Sequence, residues 1–263
     1  MIAVQALPPV GLLVEGSGDV RQLGAERLRE WIDGERLLVL RGFDALSEKD
    51  FLSFCRTFPY GQTVDWSFGS VLELEEKADT QNYLFSAEKV PFHWDGAFHV
   101  VPHVLCFQCL DACESPGGET LFASGEMLWE SASQQDRDEW RRIYLTYTTD
   151  KKAHYGGEFR SSLVAKHPRH RTPVVRFAEP VPTEKNPVTL EMSGLDEQAL
   201  AFHANRIVDR LYDPAFRYAH RWKTGDYVFA DNLALLHART EFRSGDHRKI
   251  RRVQLRFEDW GME

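Results

Sequence analysis

In the segment Pro91-Phe-His-Trp-Asp-Gly, His93 and Asp95 stand two residues apart, and in an extended chain that spacing turns both side chains to one face. One imidazole and one carboxylate then converge. A third donor must come from elsewhere, and the run Asp231-Asn-Leu-Ala-Leu-Leu-His237 offers a histidine at the end of a strongly apolar strand. Two His and one carboxylate on one face of an octahedral ion leave three positions open, which suits non-haem iron(II) binding O2 beside a chelating keto acid. The plain alternative is that an isolated His-x-Asp is only a salt-bridged surface pair.

A second group lies downstream of His237. In Asp246-His-Arg-Lys-Ile-Arg-Arg-Val-Gln-Leu-Arg-Phe, period-2 alternation puts Arg248, Ile250 and Arg252 on one face. Buried guanidinium groups are costly unless paired, and a dicarboxylate ligand would supply a planar bidentate partner. A solvated basic edge strand is the competing reading. Cys106, Cys109 and Cys113 have spacing that can ligate zinc or an iron–sulfur cluster, but no second CxxC pair accompanies them. On a strand, Cys106 and Cys109 fall on opposite faces, as small buried hydrophobes do.

These side chains need a frame to position them. Residues 24–33 have helical spacing, Arg36 to Gly42 reads as a buried strand ending at a turn glycine, and a helix returns over residues 47–57 with Ser47 as its cap. From residue 71 onward, short β-like runs alternate with Gly, Pro and Asp: VLELE, HVLCFQCL, ETLFA, YLTYTT, TPVVRF, DYVFADNLALLHA and KIRRVQLRF. Such a series predicts a barrel or jelly roll. Helical insertions over about residues 125–142 and about residues 195–213 are expected on its outside.

The chain has 263 residues, 43% of them hydrophobic and 12% aromatic, enough for a packed core, and a single domain over residues 1–263 is expected. A net charge of −8 argues against a nucleic-acid partner. The N-terminal run lacks a basic residue ahead of its apolar ones and does not read as a signal peptide, and no apolar run is long enough for a membrane span. With four cysteines expected as reduced thiols, the reading is a cytoplasmic protein with no membrane partner.

The ordered set His93-x-Asp95, Gly117-Gly118-Glu119-Thr120, His237, Arg248 and Arg252 resembles the taurine dioxygenase superfamily of iron(II) and 2-oxoglutarate enzymes. The resemblance implies a mainly β fold with flanking helices, a double-stranded β-helix (jelly roll, clavaminate synthase-like). It also implies Fe(II) held by His93, Asp95 and His237, with O2 and 2-oxoglutarate as co-substrates. By position, Thr120 and Arg248 would hold the distal carboxylate of 2-oxoglutarate, and Arg252 the acidic group of a substrate. The longer stretches LLVLRGF, WSFGSVLELEE, VPFHWDGAF, AHY, KHPRHRTPVVRF and YAHRWKTGDYVFADNLALLHAR are similar to the PvcB-type oxygenases of isonitrile natural-product pathways. That similarity implies a small-molecule substrate, an isonitrile derived from Tyr or Trp, desaturated to a vinyl isonitrile with or without loss of its carboxylate. It also marks His154, in AHYGGEF, as a pocket residue. Phe98 is a candidate for packing against the substrate's ring, as are Phe92 and Trp94, and each of the three reads first as ordinary core filling. Two alternatives stay open: hydroxylation of another small acidic substrate, and a non-catalytic sensor of iron or 2-oxoglutarate.

Overall fold

The computed structural model describes residues 2–66, 68–150 and 156–261. Two sheets carry the fold. In the larger, eight-stranded sheet the order runs Ala3–Ala6, Leu12–Glu15, Leu37–Arg41, Tyr227–Asp231, Val104–Asp111, Lys249–Phe257, Gly61–Thr63, with Val71–Leu74 also paired to Lys249–Phe257. In the smaller the order is Arg217–His220, Thr120–Ser124, Leu235–Arg239, Val90–His93. Pairing is antiparallel except between Leu12–Glu15 and Leu37–Arg41.

Side-chain alternation divides the core into three layers. Between the sheets, Val39, Phe107, Val228 and Ile250 from the larger sheet pack with Phe122 and Leu235 from the smaller. The larger sheet's outer face sends Val253, Leu255 and Phe257 against the helices Ala25–Glu35 and Glu48–Cys55, through Leu28, Ile32, Phe51 and Phe54. The smaller sheet's outer face, with Phe92, Leu121 and Leu236, is covered by Trp129, Trp140, Ile207 and Leu211. This is the jelly roll with flanking helices. Cys106 lies in the outer layer and Cys109 in the inner one, on opposite faces of their strand.

The segment near residues 125–142 is two short helices, Gly125–Glu130 and Gln134–Trp140, because Ser133 opens a capping box with Asp136 and restarts the helix. Glu197–Tyr212 is continuous and capped by Asp196. The run from residue 226 to 238, which reads as one apolar strand, is two strands in different sheets. The chain crosses between them at Asp231, whose buried carboxylate accepts the N–H groups of Leu233 and Ala234 at 2.9 and 3.1 Å. Those amides have left the sheet ladders and need an acceptor. Among the described residues, no helix is long and apolar enough to cross a membrane.

Candidate active site

The crossing at Asp231 decides where His237 goes. It puts Leu235–Arg239 into the smaller sheet, where the register sets His237 directly opposite His93, with ring centroids 4.2 Å apart. Asp95 lies in the turn just beyond the His93 strand. Asn232 fixes that turn: its Oδ1 accepts the Asp95 N–H at 2.9 Å, and its Nδ2 donates to the Asp95 and Pro102 carbonyls at 3.1 and 2.8 Å. Asp95 Oδ1 thereby stands 3.7 Å from His93 Nε2 and 3.8 Å from His237 Nε2.

Two donors each about 2.1 Å from one ion can be at most about 4.2 Å apart, so a single cation can bridge the carboxylate to either imidazole. Protonation agrees with that fit. His93 Nδ1 is 2.8 Å from the Pro91 carbonyl, which makes Nδ1 the donor and leaves the Nε2 lone pair on the side of Asp95. Burial lowers the pKa of His93, and that of His237 to about 3, so both rings are neutral at pH 7. For Asp95, burial acts upward, but Arg252 and the two histidines outweigh it and hold the carboxyl below its ordinary range. Arg252 Nη1 and Gln254 Nε2 donate to Oδ2 at 2.6 and 2.8 Å, leaving Oδ1 to face the histidines. Two neutral imidazoles and one ionised carboxylate are the donor set a divalent cation requires.

Beside this cluster lies a solvent-open cavity of about 470 Å³, its mouth included, lined by both histidines, Thr120, Trp222, Arg239 and Arg248, among others. Arg248 Nε donates to the Gly118 carbonyl at 2.9 Å and Nη2 reaches Thr120 Oγ1 at 3.4 Å. Trp222 Nε1 donates to the same hydroxyl at 2.9 Å. Among the described residues no carboxylate lies within ion-pair distance of Arg248, whose pKa burial lowers to about 10. Gly118 permits the close approach: at φ 72°, an added methyl group would lie 2.9 Å from Cys113 Sγ and 3.0 Å from Arg248 Cδ.

On the other side of the cluster is a wider cleft of about 860 Å³, continuous with solvent, whose wall includes Trp94, Phe98, Tyr147, Tyr83 and Leu72. Phe98 is half-buried on this wall. Trp94 lines it too, edge-on to Tyr147 with centroids 5.6 Å apart, whereas Phe92 is fully buried in the core under the helices. His154 lies outside the described residues. Arg252 borders both cavities, but its Nη1 is taken up by Asp95. Three contributors escaped the sequence reading: Gln254, Asn232 and Arg239. Continuing the Arg248, Ile250, Arg252 alternation by one step would have found Gln254.

A second group of possible donors, His167, His170 and Asp231, surrounds the sheet crossing. His167 Nε2 is bonded to Asp231 Oδ2 at 2.9 Å and its Nδ1 accepts the N–H groups of Arg169 and His170. With both ring nitrogens engaged, this cluster braces the crossing. All four cysteines are free thiols.

Fold and site together define a class, the mononuclear non-haem iron(II) dioxygenases that consume 2-oxoglutarate and O2. The family described as "Taurine catabolism dioxygenase TauD, TfdA family" matches residues 5–254, and the chain belongs to it. It is 40% identical to the 3-((Z)-2-isocyanoethenyl)-1H-indole synthase of Fischerella ambigua over 96% of this chain and 95% of that protein. It is 35% identical to the tyrosine isonitrile desaturase of Pseudomonas aeruginosa, covering 95% and 89%. Among solved structures, PvcB of Pseudomonas aeruginosa superposes with a TM-score of 0.83 at 31% identity, over 98% of this chain and 92% of that one. A second PvcB structure is described as an iron, α-ketoglutarate dependent oxygenase from an isonitrile synthetic pathway; its TM-score is 0.80 at 32% identity, over 98% and 93% of the two chains.

Proposed function

We propose that this dioxygenase desaturates an isonitrile derived from Tyr or Trp to a vinyl isonitrile, with or without loss of the substrate carboxylate. In this reading His93, Asp95 and His237 hold Fe(II), and Thr120 and Arg248 hold the distal carboxylate of 2-oxoglutarate. The observation that carries it is a buried arginine with no carboxylate partner among the described residues, opening onto the same space as two neutral histidines that an ionised aspartate adjoins. The substrate class rests on the two relatives whose names specify indole and tyrosine isonitrile chemistry.

Bound iron, with 2-oxoglutarate and O2, supplies an oxidant strong enough to take hydrogen from carbon, while 2-oxoglutarate leaves as succinate and CO2. The rest is the work of the chain. Asn232 and the Arg252–Gln254 pair fix the Asp95 carboxylate, so the ligand set is preorganised. Arg248, with three N–H groups left after its bonds to Gly118 and Thr120, and the Thr120 hydroxyl present donors to an incoming carboxylate beside the hydrocarbon of Trp222 and Ile250. The aromatic wall of Trp94, Phe98 and Tyr147 suits an aryl ring, setting the carbon chain of the substrate toward His93 and Asp95. Of the two oxygen atoms of O2, one enters succinate and the other leaves as water with the two hydrogens removed.

The test is to load the protein anaerobically with Fe(II) and 2-oxoglutarate, add the Tyr- or Trp-derived isonitrile, and admit O2. Succinate formation stimulated by one isonitrile, with a product two hydrogens lighter or lighter by those hydrogens and CO2, is expected. Succinate formed at one unstimulated rate with both would overturn the substrate assignment and leave the dioxygenase class standing.

A further inference from the structure

Arg239 stands two residues beyond His237 on the same strand, and so faces the same cavity as Arg248. Its buried guanidinium holds one segment by four main-chain carbonyls. Nη1 donates to Leu84 O at 3.0 Å, and Nη2 lies 3.5, 2.6 and 2.6 Å from the oxygens of Tyr83, Ser86 and Glu88. A fifth tether comes from Phe242, whose N–H donates to Ala87 O at 3.0 Å. The Phe242 ring lies under both arginines, 5.3 Å from the Arg239 guanidinium and 5.9 Å from that of Arg248.

The held segment belongs to both cavities. Leu84 lines the Arg248 cavity and the aromatic cleft alike, while Tyr83 and Phe85 line the cleft. One buried cation therefore joins the space assigned to 2-oxoglutarate to the wall against which the organic substrate lies. Its own situation is incomplete: among the described residues the buried Nε has no hydrogen-bond partner and no carboxylate lies within ion-pair distance. Burial penalises this charge, and the like charge of Arg248 in the same cavity adds to the penalty. A dicarboxylate between these two cations would compensate both and firm the hold of Arg239 on its carbonyls, since charge-assisted bonds in a low-dielectric site are strong only when the charge itself is accommodated.

We propose that Arg239 is a positioning residue through which 2-oxoglutarate, bound at Arg248, fixes the Tyr83–Glu88 wall of the substrate cleft, so that the isonitrile meets a finished pocket only after the co-substrate is in place. The inference rests on the assignment of the Arg248 cavity to 2-oxoglutarate. It makes Arg239 a coupling element between two ligands, and coupling of this kind is reciprocal.

Hydrogen exchange of the wild-type protein, carrying Mn(II) without O2, reads the wall directly. The Phe85 and Ser86 amides, bonded to the Asn82 and Tyr83 carbonyls, exchange when the segment opens. Saturating 2-oxoglutarate should slow them about tenfold, and that protection should be absent in Arg239→Lys. Calorimetric binding of 2-oxoglutarate to the Mn(II) form, run on both proteins, separates the two assignments. Arg239→Lys should bind the co-substrate within a few-fold of wild type, raise the isonitrile KM about tenfold and make succinate in excess of product. Exchange at 83–88 that ignores 2-oxoglutarate while calorimetry shows it bound overturns the coupling and leaves the co-substrate site intact. A wild-type KM and product-to-succinate ratio in Arg239→Lys overturns it equally. Failure of 2-oxoglutarate to bind the wild-type Mn(II) form overturns both.

Discussion

Replacing Arg252 by Met removes the charge that faces Asp95 while keeping most of the side chain's volume. The two groups meet at 2.6 Å, and both residues are more than nine-tenths buried, so solvent screens their interaction little. Breaking a buried pair by deleting one partner typically costs about 3–5 kcal/mol, because an uncompensated charge is left behind. Gln254 keeps its bond to Oδ2 and two imidazoles remain nearby, which argues for the low end, about 3 kcal/mol. For a chain of this size each kcal/mol shifts Tm by about 2–4 °C, so metal-free Arg252→Met should melt roughly 6–12 °C below wild type. A divalent ion on Oδ1 replaces the lost positive charge, and saturating Mn(II) should close much of that gap. By linkage, closing that gap means that Mn(II) binds Arg252→Met more tightly than wild type, about tenfold for each 1.4 kcal/mol recovered. Thermal melts of both proteins with and without Mn(II), under nitrogen, give every number needed. If Arg252→Met melts with wild type in the metal-free state, binds Mn(II) equally and differs only in its isonitrile KM, then Arg252 serves the substrate and the reasoning from the Asp95 contact is wrong.

Arg248→Ala should raise the 2-oxoglutarate concentration needed for half-saturation by two or more orders of magnitude, a loss of about 3–5 kcal/mol, with Mn(II) affinity nearly intact; calorimetry on the metal-loaded protein checks both halves. Gly118→Ala forces a methyl group against Cys113 and Arg248, so it should weaken 2-oxoglutarate binding and leave the metal site alone; equal affinity for the co-substrate would contradict it. Asn232→Ala releases the Asp95 turn and should lower metal affinity about tenfold or more, read by Mn(II) titration. For pH, His237 and His103 have folded pKa values lowered by burial to about 3 and about 4. The unfolded chain, with ordinary values near 6.5, binds more protons below that pH, so stability present at pH 7.5 is lost on acidification. At pH 5.5 each ring should cost about 1.4 kcal/mol, about 3 kcal/mol together. Urea denaturation of the metal-free protein at the two pH values measures the difference, and equal stability would refute it.

Much of the chemistry was readable because it is written in local patterns. The alternation of Arg248, Ile250 and Arg252 needs only the geometry of an extended chain, and the jelly roll follows from many short strands broken by turn residues, whereas His93 and Asp95, though paired by their spacing, converge through a turn that Asn232 holds. What stayed hidden depends on pairing across long sequence separations. That His93 faces His237 is a matter of register between strands more than a hundred residues apart. The sheet crossing at Asp231 left no trace in hydrophobic periodicity because every residue from 226 to 238 is buried, so neither face is marked by polarity. The contact of Arg252 with Asp95 was out of reach for a related reason. Alternation tells which way an arginine points and not which anion it meets, and the Asp95 carboxylate reaches it first. Arg239 carried no sequence signal either, as its acceptors are main-chain carbonyls, which any residue supplies.

The central claim is that His93, Asp95 and His237 form one iron site with 2-oxoglutarate beside it, and an anaerobic optical titration tests it most directly. Fe(II) added to metal-free wild-type protein, followed by 2-oxoglutarate, should produce a weak visible charge-transfer band that saturates at one equivalent of iron. Asp95→Ala should show no band at the same iron concentration. A wild-type band and iron affinity in Asp95→Ala, or no band in the wild type, would mean that the iron lies elsewhere.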